Sequence, residues 1–221
     1  METKRIAAER AVEYIEDGMV VGLGTGSTAY WAIQKIGARV KEGLRIKALA
    51  TSIESEAMAE ALGIPIIPFA ELSGPIDLTI DGADEVDSIS NLIKGGGGAL
   101  LREKIVAKAS DRMIVIVDQS KLVTHLGDFP LPVEVVPFGN ELTVRHLIGL
   151  GCEPVIRMKG EERFLTDNGN YIADCAFGRI MEPGRLEMQL NGIPGVVDNG
   201  LFVQMASKVI VGYDNGEVGE L

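Results

Sequence analysis

The sequence predicts an α/β fold with a mostly parallel sheet covered by helices and a second, smaller α+β domain. Three observations favour this class. Short apolar strands alternate with helical patterns through residues 2–117, two prolines interrupt the chain at 130 and 132, and the elements beyond them follow a different order. Alternation of strands and helices is typical of parallel sheets, whose crossover connections are usually helices.

The first part of the chain gives the parallel sheet. Glycines at 18 and 63 follow helical patterns and are expected to end them. The predicted elements, in order, are a helix at 2–16, a strand at 19–21, a helix beginning near 29, a strand at 45–50, a helix at 53–62, strands at 64–67 and 76–80, a helix at 99–109 and a strand at 113–117. This order predicts a Rossmann-like sheet with helices on both faces.

The second part begins at Phe129-Pro130-Leu131-Pro132, where the paired prolines indicate a domain boundary. The pattern then predicts, in order, a strand at 133–136, a helix at 140–148, strands at 153–158 and 164–175, a helix at 183–190 and a strand at 195–197. This βαββαβ order is that of the ferredoxin-like split unit. We expect a Rossmann-like domain at residues 1–129 and 201–221, to which the apolar stretch 201–213 returns, and a ferredoxin-like domain at 130–200.

The composition excludes several classes of protein. The chain has 221 residues and a net charge of −11, which is the wrong sign for a nucleic-acid surface. Its longest apolar runs, such as 113–117, are far shorter than the roughly 20 residues of a membrane helix. Cys152 and Cys175 lack metal-type spacing, and the charged start lacks the apolar core of a signal peptide. We expect a cytoplasmic protein that binds neither nucleic acid nor membrane.

A glycine-rich turn, residues 22–28, follows the strand at 19–21 and leads directly into a helix. Backbone N–H groups at such a position bind phosphate, and the hydroxyls of Thr25, Ser27 and Thr28 offer further donors. A small anionic substrate would therefore be bound locally, in spite of the acidic net charge of the chain.

The same turn satisfies the loose dinucleotide pattern G-x-G-x-x-A through Gly24, Gly26 and Ala29. That pattern also requires an acid at the end of the second strand, to bind the ribose. Here the strand at 45–50 ends in Thr51-Ser52, which is typical of a helix cap. The missing acid favours a monophosphate over NAD.

Residues 81–98 place charged groups beside a second glycine-rich turn. Asp81 and Asp84 follow the strand at 76–80, and the ends of such strands face the crevice where open α/β sheets bind ligands. Lys94 precedes four glycines at 95–98, whose backbone can approach a ligand closely. Lys121 follows the strand at 113–117 and can reach the same crevice, or can simply be solvated. Each of these residues alone is also a common turn or surface residue, but their convergence favours a site for proton transfer.

Glu103 lies in the helix that follows the four glycines. It is roughly 160° around the helix from Ile105, away from the apolar stripe formed by Leu101, Ile105 and Ala109. We therefore expect its carboxylate to face a cleft or solvent. An acid near a helix N-terminus can also be an ordinary surface residue.

A metal site is the alternative for the acidic residues at 81–87. A calcium loop would require Gly where Val86 stands and Glu where Leu92 stands. His125 and His146 lack partners at metal-ligand spacing. We expect no metal.

Taken together, these motifs closely resemble the A-type ribose-5-phosphate isomerases. The resemblance rests on Gly24-Thr25-Gly26-Ser27-Thr28, Asp81-Gly82-Ala83-Asp84, Lys94-Gly95-Gly96-Gly97, Arg102-Glu103-Lys104, Lys121, the segment 129–135, the segment 166–170 and the segment 193–197. It covers nearly the whole chain, and residues 203–221 alone carry no recognisable motif.

The resemblance implies that the enzyme interconverts ribose 5-phosphate and ribulose 5-phosphate without a cofactor, in the pentose phosphate pathway, as homodimers or homotetramers. It implies that Glu103 is the catalytic proton carrier. It further implies that the sugar phosphate is bound by Thr25, Gly26, Ser27, Thr28, Asp81, Gly82, Ala83, Asp84, Lys94, Gly95, Gly96, Gly97 and Lys121.

The residue types fit this reaction. Aldose to ketose isomerisation needs a base that removes a proton from C2 and returns it to C1, as Glu103 can. The enediolate that forms is negative, and the ammonium of Lys94 can stabilise its oxygens. Asp81 and Asp84 can hold sugar hydroxyls, assist ring opening and orient Lys94.

Two other classes stay open. A nicotinamide dehydrogenase would use the turn at Gly24 for a pyrophosphate. A sugar-phosphate-sensing domain of a transcription regulator would bind the same ligand without turnover, although such regulators usually carry a basic DNA-reading segment, which this sequence lacks.

Overall fold

The computed structural model describes residues 1–221. Its six α-helices are α1 (Glu2–Val12), α2 (Ala29–Lys41), α3 (Ile53–Ala61), α4 (Leu100–Lys108), α5 (Asn140–Gly149) and α6 (Pro183–Asn191), with short 3₁₀ helices at Phe69–Glu71 and Gln119–Lys121. Its strands are β1 (Val20–Leu23), β2 (Lys47–Ala50), β3 (Leu78–Gly82), β4 (Glu85–Val86), β5 (Leu92–Ile93), β6 (Met113–Asp118), β7 (Leu131–Val135), β8 (Glu153–Ile156), β9 (Met158–Lys159), β10 (Glu162–Arg163), β11 (Tyr171–Ala176), β12 (Val196–Asn199), β13 (Leu201–Phe202), β14 (Lys208–Gly212) and β15 (Val218–Glu220).

The chain forms two compact units, and neither is one continuous segment. The first unit consists of Met1–Ala83, Arg102–Lys121 and Gln204–Leu221. The second unit consists of Asp84–Leu101 and Leu122–Val203.

The first unit contains a six-stranded sheet in the order β15-β14-β6-β3-β1-β2. All neighbours in it are parallel except β14 and β15, which are antiparallel. One face buries the alanine-rich side of α1 and the Ile33 side of α2, and the other face packs Leu49 and Ile76 against Val106 of α4. The predicted Rossmann-like, mostly parallel sheet with helices on both faces is therefore confirmed.

β3 is a central strand of this sheet, between β1 and β6. It runs on through Asp81 and Gly82, two residues beyond the predicted strand end, because Asp81 pairs with Val115 and Gly82 with Ile116. Asp81 is therefore held in the sheet at the carboxyl end of a central strand, whose ladder restricts its backbone.

The second unit contains an antiparallel four-stranded sheet in the order β12-β7-β11-β8. Because β11 lies between β7 and β8, the arrangement is a split βαβ unit, and the predicted ferredoxin-like topology is confirmed. Val133 and Val135 of β7 pack with Leu147 of α5 and Leu190 of α6 in one core. Since side chains alternate along a strand, Pro132 and Glu134 belong to the opposite face.

The boundary between the units differs from the predicted division at residues 130 and 200. Residues 84–101 and 122–129 belong to the second unit, because β4 and β5 pair with each other and β5 pairs with β13. The buried carboxylate of Glu85 also accepts hydrogen bonds from the backbone N–H groups of Gly127 and Phe129. Of the stretch 201–213, β14 joins the first sheet, whereas β13 stays in the second unit.

The predicted strand at 64–67 is reduced to an isolated parallel bridge between Ala48 and Ile66. No helix combines the length and the apolar composition that crossing a membrane requires.

Candidate active site

The phosphate-type turn lies where predicted, between β1 and α2. Gly26 adopts a φ of 98°, a left-handed conformation that glycine tolerates best, and its carbonyl accepts a 2.9 Å hydrogen bond from Tyr30 N. Thr28 is the N-cap residue of α2. Lys4 Nζ donates a 2.9 Å hydrogen bond to the hydroxyl of Ser27, so a cation from α1 reaches this turn. The combination of a helix N-terminus and an ammonium is suited to an anion.

The side chain of Thr25 is directed towards the end of β2 rather than left available in the turn. Its Oγ1 lies 2.7 Å from Thr51 Oγ1 and 3.3 Å from Ser55 Oγ, and Ser55 Oγ donates a 2.7 Å hydrogen bond to the carbonyl of Gly24. These bonds fasten the turn to the start of α3. Ser52 is the N-cap of that helix, as the sequence suggested, and its hydroxyl accepts a bond from Ser55 N.

Asp81 is fully buried, and its carboxylate holds the backbone of the same turn. Its Oδ1 accepts hydrogen bonds from Thr25 N at 3.0 Å and from Gly82 N at 2.8 Å. A Cβ atom at Gly24 would lie 2.1 Å from this Oδ1, so only glycine allows the carboxylate to come so close. The structure thus brings together the first glycine turn and the first acid of the predicted site.

Two lysines act on one carboxylate at the carboxyl end of β6. Lys121 ends the 3₁₀ helix that follows this strand. Burial alone would raise the pKa of Asp118, but hydrogen bonds from the hydroxyl and N–H of Ser120, together with the charges of Lys4 and Lys121, lower it. Both ammonium groups therefore lie near the carboxyl end of β6, and Lys4 also reaches Ser27.

A cavity of about 460 Å³ opens beside this turn. Its polar lining includes Lys4, Ser27 and Ser55, and its apolar lining includes Tyr30 and Trp31. The first unit therefore offers a concave space next to hydroxyl, amide and ammonium donors.

Glu103 lies in the first turn of α4 and is buried, with 5% of its surface exposed. The predicted apolar stripe through Leu101, Ile105 and Ala109 is wrong, since Ile105 is 52% exposed. The buried face instead contains Glu103 with Val106 and Ala107, which follow it at helical spacing of three and four residues. The helix is too weakly amphipathic for the periodicity to distinguish these faces. The carboxylate of Glu103 is consequently held in protein rather than in open solvent.

In the second unit, Asp84 binds the second glycine turn. Its Oδ2 accepts a 2.7 Å hydrogen bond from Gly96 N, and a Cβ atom at Gly96 would lie 2.5 Å from Oδ1. Gly95 and Gly98 adopt φ values of 103° and 80°, which a residue with a side chain rarely adopts. Gly96 and Gly97 are both exposed.

Lys94 is buried, with 2% of its surface exposed. Its backbone N–H donates a 2.9 Å hydrogen bond to Gly200 O, and its Nζ lies 5.4 Å from the ring centroid of Phe202, within cation–π distance. An ammonium buried in protein is costly unless charged or polar groups compensate it.

The structure therefore groups the predicted residues unit by unit. The first unit contains Thr25, Gly26, Ser27, Thr28, Asp81, Gly82, Ala83, Glu103 and Lys121, and the second contains Asp84, Lys94, Gly95, Gly96 and Gly97. The chain connects the two acids directly, because Gly82 and Ala83 alone separate Asp81 from Asp84.

Three residues that bind the two glycine turns, Lys4, Thr51 and Arg157, were not predicted from the sequence. Thr51 had a usable signal, since it follows β2 and the ends of neighbouring parallel strands meet at one edge of a sheet. Lys4 and Arg157 had no such signal in the sequence, because each binds a distant part of the chain. Lys4 binds Ser27, and Arg157 binds the carbonyls of Gly95 and Gly96.

No group of three or more His, Cys, Asp or Glu side chains is arranged so that it could hold a metal ion. The predicted independence from metals remains a prediction, which depletion of metal ions would test.

Comparisons with known proteins identify the family. The sequence profile of Ribose 5-phosphate isomerase A (phosphoriboisomerase A) matches residues 47–216. The Ribose-5-phosphate isomerase A of Bacillus mycoides is 53% identical over 217 residues, 98% of each chain, and that of Gloeobacter violaceus is 56% identical over 215 residues, covering 96% of this chain and 93% of the relative. The structure of ribose 5-phosphate isomerase A from Methanocaldococcus jannaschii has a TM-score of 0.93 at 43% identity, covering 99% of this chain and 97% of that one. The resemblance drawn from the motifs is confirmed, and the chain belongs to the ribose 5-phosphate isomerase A family.

Proposed function

We propose that this chain interconverts D-ribose 5-phosphate and D-ribulose 5-phosphate in the non-oxidative pentose phosphate pathway. The observation that carries the proposal is the family match over residues 47–216, a range that includes every predicted site residue from Asp81 to Lys121. A solved neighbour with a TM-score of 0.94 at 41% identity, covering 99% of this chain and 96% of that one, is a D-ribose-5-phosphate isomerase in complex with phospho-erythronic acid. That ligand is a phosphorylated sugar acid, the class of molecule expected to resemble a negatively charged sugar-phosphate intermediate.

The phosphate is assigned to the first glycine turn. Backbone N–H groups of residues 26–28 and the N-terminus of α2 supply partial positive charge, and Lys4 and Lys121 supply full charges. Binding energy from a remote phosphate can be used to position the reacting carbons. The enzyme is therefore expected to require a phosphorylated pentose.

The proton transfer is assigned to Glu103. A single carboxylate can remove the proton at C2 and return it at C1, so the reaction conserves all atoms and needs no cofactor. The placement of this carboxylate on the buried face of a helix, the face that also contains Val106 and Ala107, supports the role because it limits the positions that a base can take.

Stabilisation of the negative charge of the enediolate is assigned to Lys94 and to the backbone N–H of Gly97. A buried ammonium and fixed N–H donors stabilise developing negative charge more strongly than water does. Asp81 and Asp84 are assigned to the sugar hydroxyls and to ring opening. Both already hold backbone amides, Asp81 those of Thr25 and Gly82 and Asp84 that of Gly96, so both have well-defined positions.

The proposal includes a cytoplasmic homo-oligomer, either a dimer or a tetramer. Cys152 and Cys175 are free buried thiols, the state that a reducing compartment maintains. The second unit exposes large apolar side chains, among them Phe138 at 94% and Leu142 at 59% exposure, which a subunit interface would cover. Sedimentation equilibrium of the full chain tests the assembly.

A direct assay tests the proposed activity. Purified chain is mixed with ribose 5-phosphate, ribulose 5-phosphate is measured as ketose, and free ribose serves as the comparison substrate. We expect turnover with the phosphate ester and a much lower kcat/KM with free ribose. Binding of ribose 5-phosphate without turnover would instead indicate a sensing domain, and equal kcat/KM for the two sugars would remove the phosphate subsite from the proposal.

A further inference from the structure

Arg157 contacts the second glycine turn with one end of its guanidinium group. Its Nη1 donates hydrogen bonds of 3.0 Å to the carbonyls of both Gly95 and Gly96. The other end of the group is bound to Asp174, whose two carboxylate oxygens accept from Nε, at 2.9 Å, and from Nη2. One planar group therefore joins the turn to β11, and its side chain is only 16% exposed.

The backbone of Arg157 is itself fixed. Its N–H donates a 2.8 Å hydrogen bond to Ile172 O of β11, and its carbonyl accepts a 2.9 Å hydrogen bond from Phe164 N. The guanidinium carbon also lies 5.7 Å from the ring centroid of Phe164. Because the main chain, the carboxylate partner and the stacked ring all restrain it, the guanidinium has little freedom to follow a moving turn.

These contacts fix two successive peptide planes. The peptide between Gly95 and Gly96 is held at both ends, its carbonyl by Arg157 and its N–H by Asp84 Oδ2. In the next peptide, Arg157 holds the carbonyl of Gly96. The N–H of a trans peptide points opposite to its carbonyl, so the N–H of Gly97 points away from Arg157.

We propose that Arg157, oriented by Asp174, is a positioning residue that sets the Gly95–Gly97 backbone so that the Gly97 N–H faces an oxygen of the sugar. This inference rests on the proposed function, since it concerns the same substrate-binding turn. In this proposal an arginine outside the predicted site aligns the Gly97 amide that binds the developing enediolate, and the arginine touches none of the reacting atoms. Glycine peptides have no side chains to restrain them, and an external clamp supplies that restraint.

The test uses the full chain with Arg157→Met, Arg157→Lys and Asp174→Asn, together with the matched control Arg163→Met. Arg163 belongs to the same unit, stacks on Tyr171 at 5.0 Å and is about half exposed, but it has no bond to the turn. Thermal unfolding is recorded for each variant, and kcat and KM for ribose 5-phosphate are measured well below the unfolding temperature.

We expect Arg157→Met to lower kcat/KM by about 10- to 100-fold, with kcat carrying most of the loss because amide alignment matters most when charge develops. Arg157→Lys should recover little, since an ammonium cannot reproduce a fork that binds two carbonyls and a carboxylate. Asp174→Asn should cause a smaller loss of kcat, and Arg163→Met should match the wild type. The inhibition constant for phospho-erythronic acid should rise in Arg157→Met and stay unchanged in Arg163→Met.

A purely structural role would lower the unfolding temperature and leave kcat and KM unchanged in the folded protein, and that result in Arg157→Met would overturn the inference. Should Arg157→Met fail to fold, Asp174→Asn decides, because wild-type kcat in that variant is incompatible with a clamp that depends on Asp174. The activity of the wild-type chain distinguishes failure of this inference from failure of the proposed function. Unchanged kinetics in the variants of an active chain refute only the clamp, whereas an inactive wild type refutes the proposed function and the inference with it.

Discussion

The backbone N–H of Gly96 donates a 2.7 Å hydrogen bond to Oδ2 of Asp84, and the other carboxylate oxygen occupies the space where a Cβ atom of residue 96 would lie. The acid and the glycine are therefore fitted to each other. Since Gly96 is exposed and Asp84 is partly exposed, the pair lies at the surface of its unit and contributes little to the core.

Gly96→Ala should therefore reduce activity more than stability. The new methyl group would be 2.5 Å from Asp84 Oδ1 and would displace either the carboxylate or the turn. A displacement of this size in a substrate-positioning element can lower kcat/KM by about 100-fold. Gly74→Ala is the control, because a Cβ atom there meets no atom within 4 Å. Equal kinetics in the two variants would show that the turn is not part of the site.

Glu103→Gln tests the base. The amide keeps the shape and most hydrogen bonds of the carboxylate but cannot accept the proton, so kcat should fall by roughly 10² to 10⁴ while KM changes little. Asp81→Asn and Asp84→Asn should lower kcat less, and Glu60→Gln, an exposed acid on α3, should have no effect. Solvent-deuterium exchange at C2 of the sugar is the decisive measurement. Exchange at the wild-type rate in Glu103→Gln would assign the proton to another group.

Lys4→Met tests the phosphate subsite. Loss of a hydrogen bond to a charged group is worth about 1.5 to 3 kcal/mol, which corresponds to a rise in KM of roughly 10- to 100-fold, since 1.36 kcal/mol equals a factor of ten. The kcat should change less, because the proposed role of Lys4 is to bind the phosphate and not to take part in the proton transfer. Lys47→Met, an exposed lysine on β2, is the matched control. An unchanged KM for ribose 5-phosphate would remove Lys4 from the subsite.

Activity should survive removal of metal ions. In the proposed mechanism, Lys94 and a backbone amide supply the positive charge that a metal would otherwise supply to the enediolate. Dialysis against EDTA, followed by assay in chelator, should leave kcat unchanged. Loss of activity that a divalent ion restores would reassign Asp81 and Asp84 as metal ligands.

Glu220 should make stability sensitive to acid. Hydrogen bonds from Lys208 and Tyr14, opposed by burial and supported by a bond from Arg10, lower the pKa of Glu220 to about 2, from the ordinary value of 4.5. Because the folded pKa is below the unfolded one, this group stabilises the fold above about pH 4.5, and the contribution is lost as the pH falls from there towards 2. The unfolding temperature of Glu220→Gln should be lower than that of the wild type at pH 7, and the two should converge near pH 2. The exposed Glu161→Gln should follow the wild type at every pH.

Local patterns predicted the elements of this fold well. The helices α5 and α6 and the order of strands and helices along residues 130–200 follow from periodicity and turn residues, because each depends on neighbours in the sequence. The unit boundaries do not. The pairing of Leu201–Phe202 with Leu92–Ile93 spans more than a hundred residues, and no local signal at 84–101 indicates that its partner lies there.

The candidate site likewise contains residues that local patterns could predict and residues that they could not. Asp81, the glycine turns and Glu103 could be predicted as site residues because acids after strands and glycines before helices are visible in short windows. The burial of Glu103 could not be predicted. The helix alternates small, charged and apolar residues so evenly that its buried face depends on what packs against it. Arg157 was not found either, because 61 residues separate it from Gly96.

The interleaved arrangement of the two units also has a consequence for biosynthesis. β6 ends at Asp118 and its parallel neighbour β14 begins at Lys208, so one edge of the first sheet stays open while the larger segment of the second unit, Leu122–Val203, emerges from the ribosome. At roughly 5 to 20 residues per second this interval lasts several seconds. Until then β6, Met113-Ile-Val-Ile-Val-Asp118, is paired with β3 on one side only, and its open side is an apolar edge of the kind that pairs with other chains. The nascent protein should therefore depend on chaperone protection, or on rapid completion of translation, until its last residues seal the sheet.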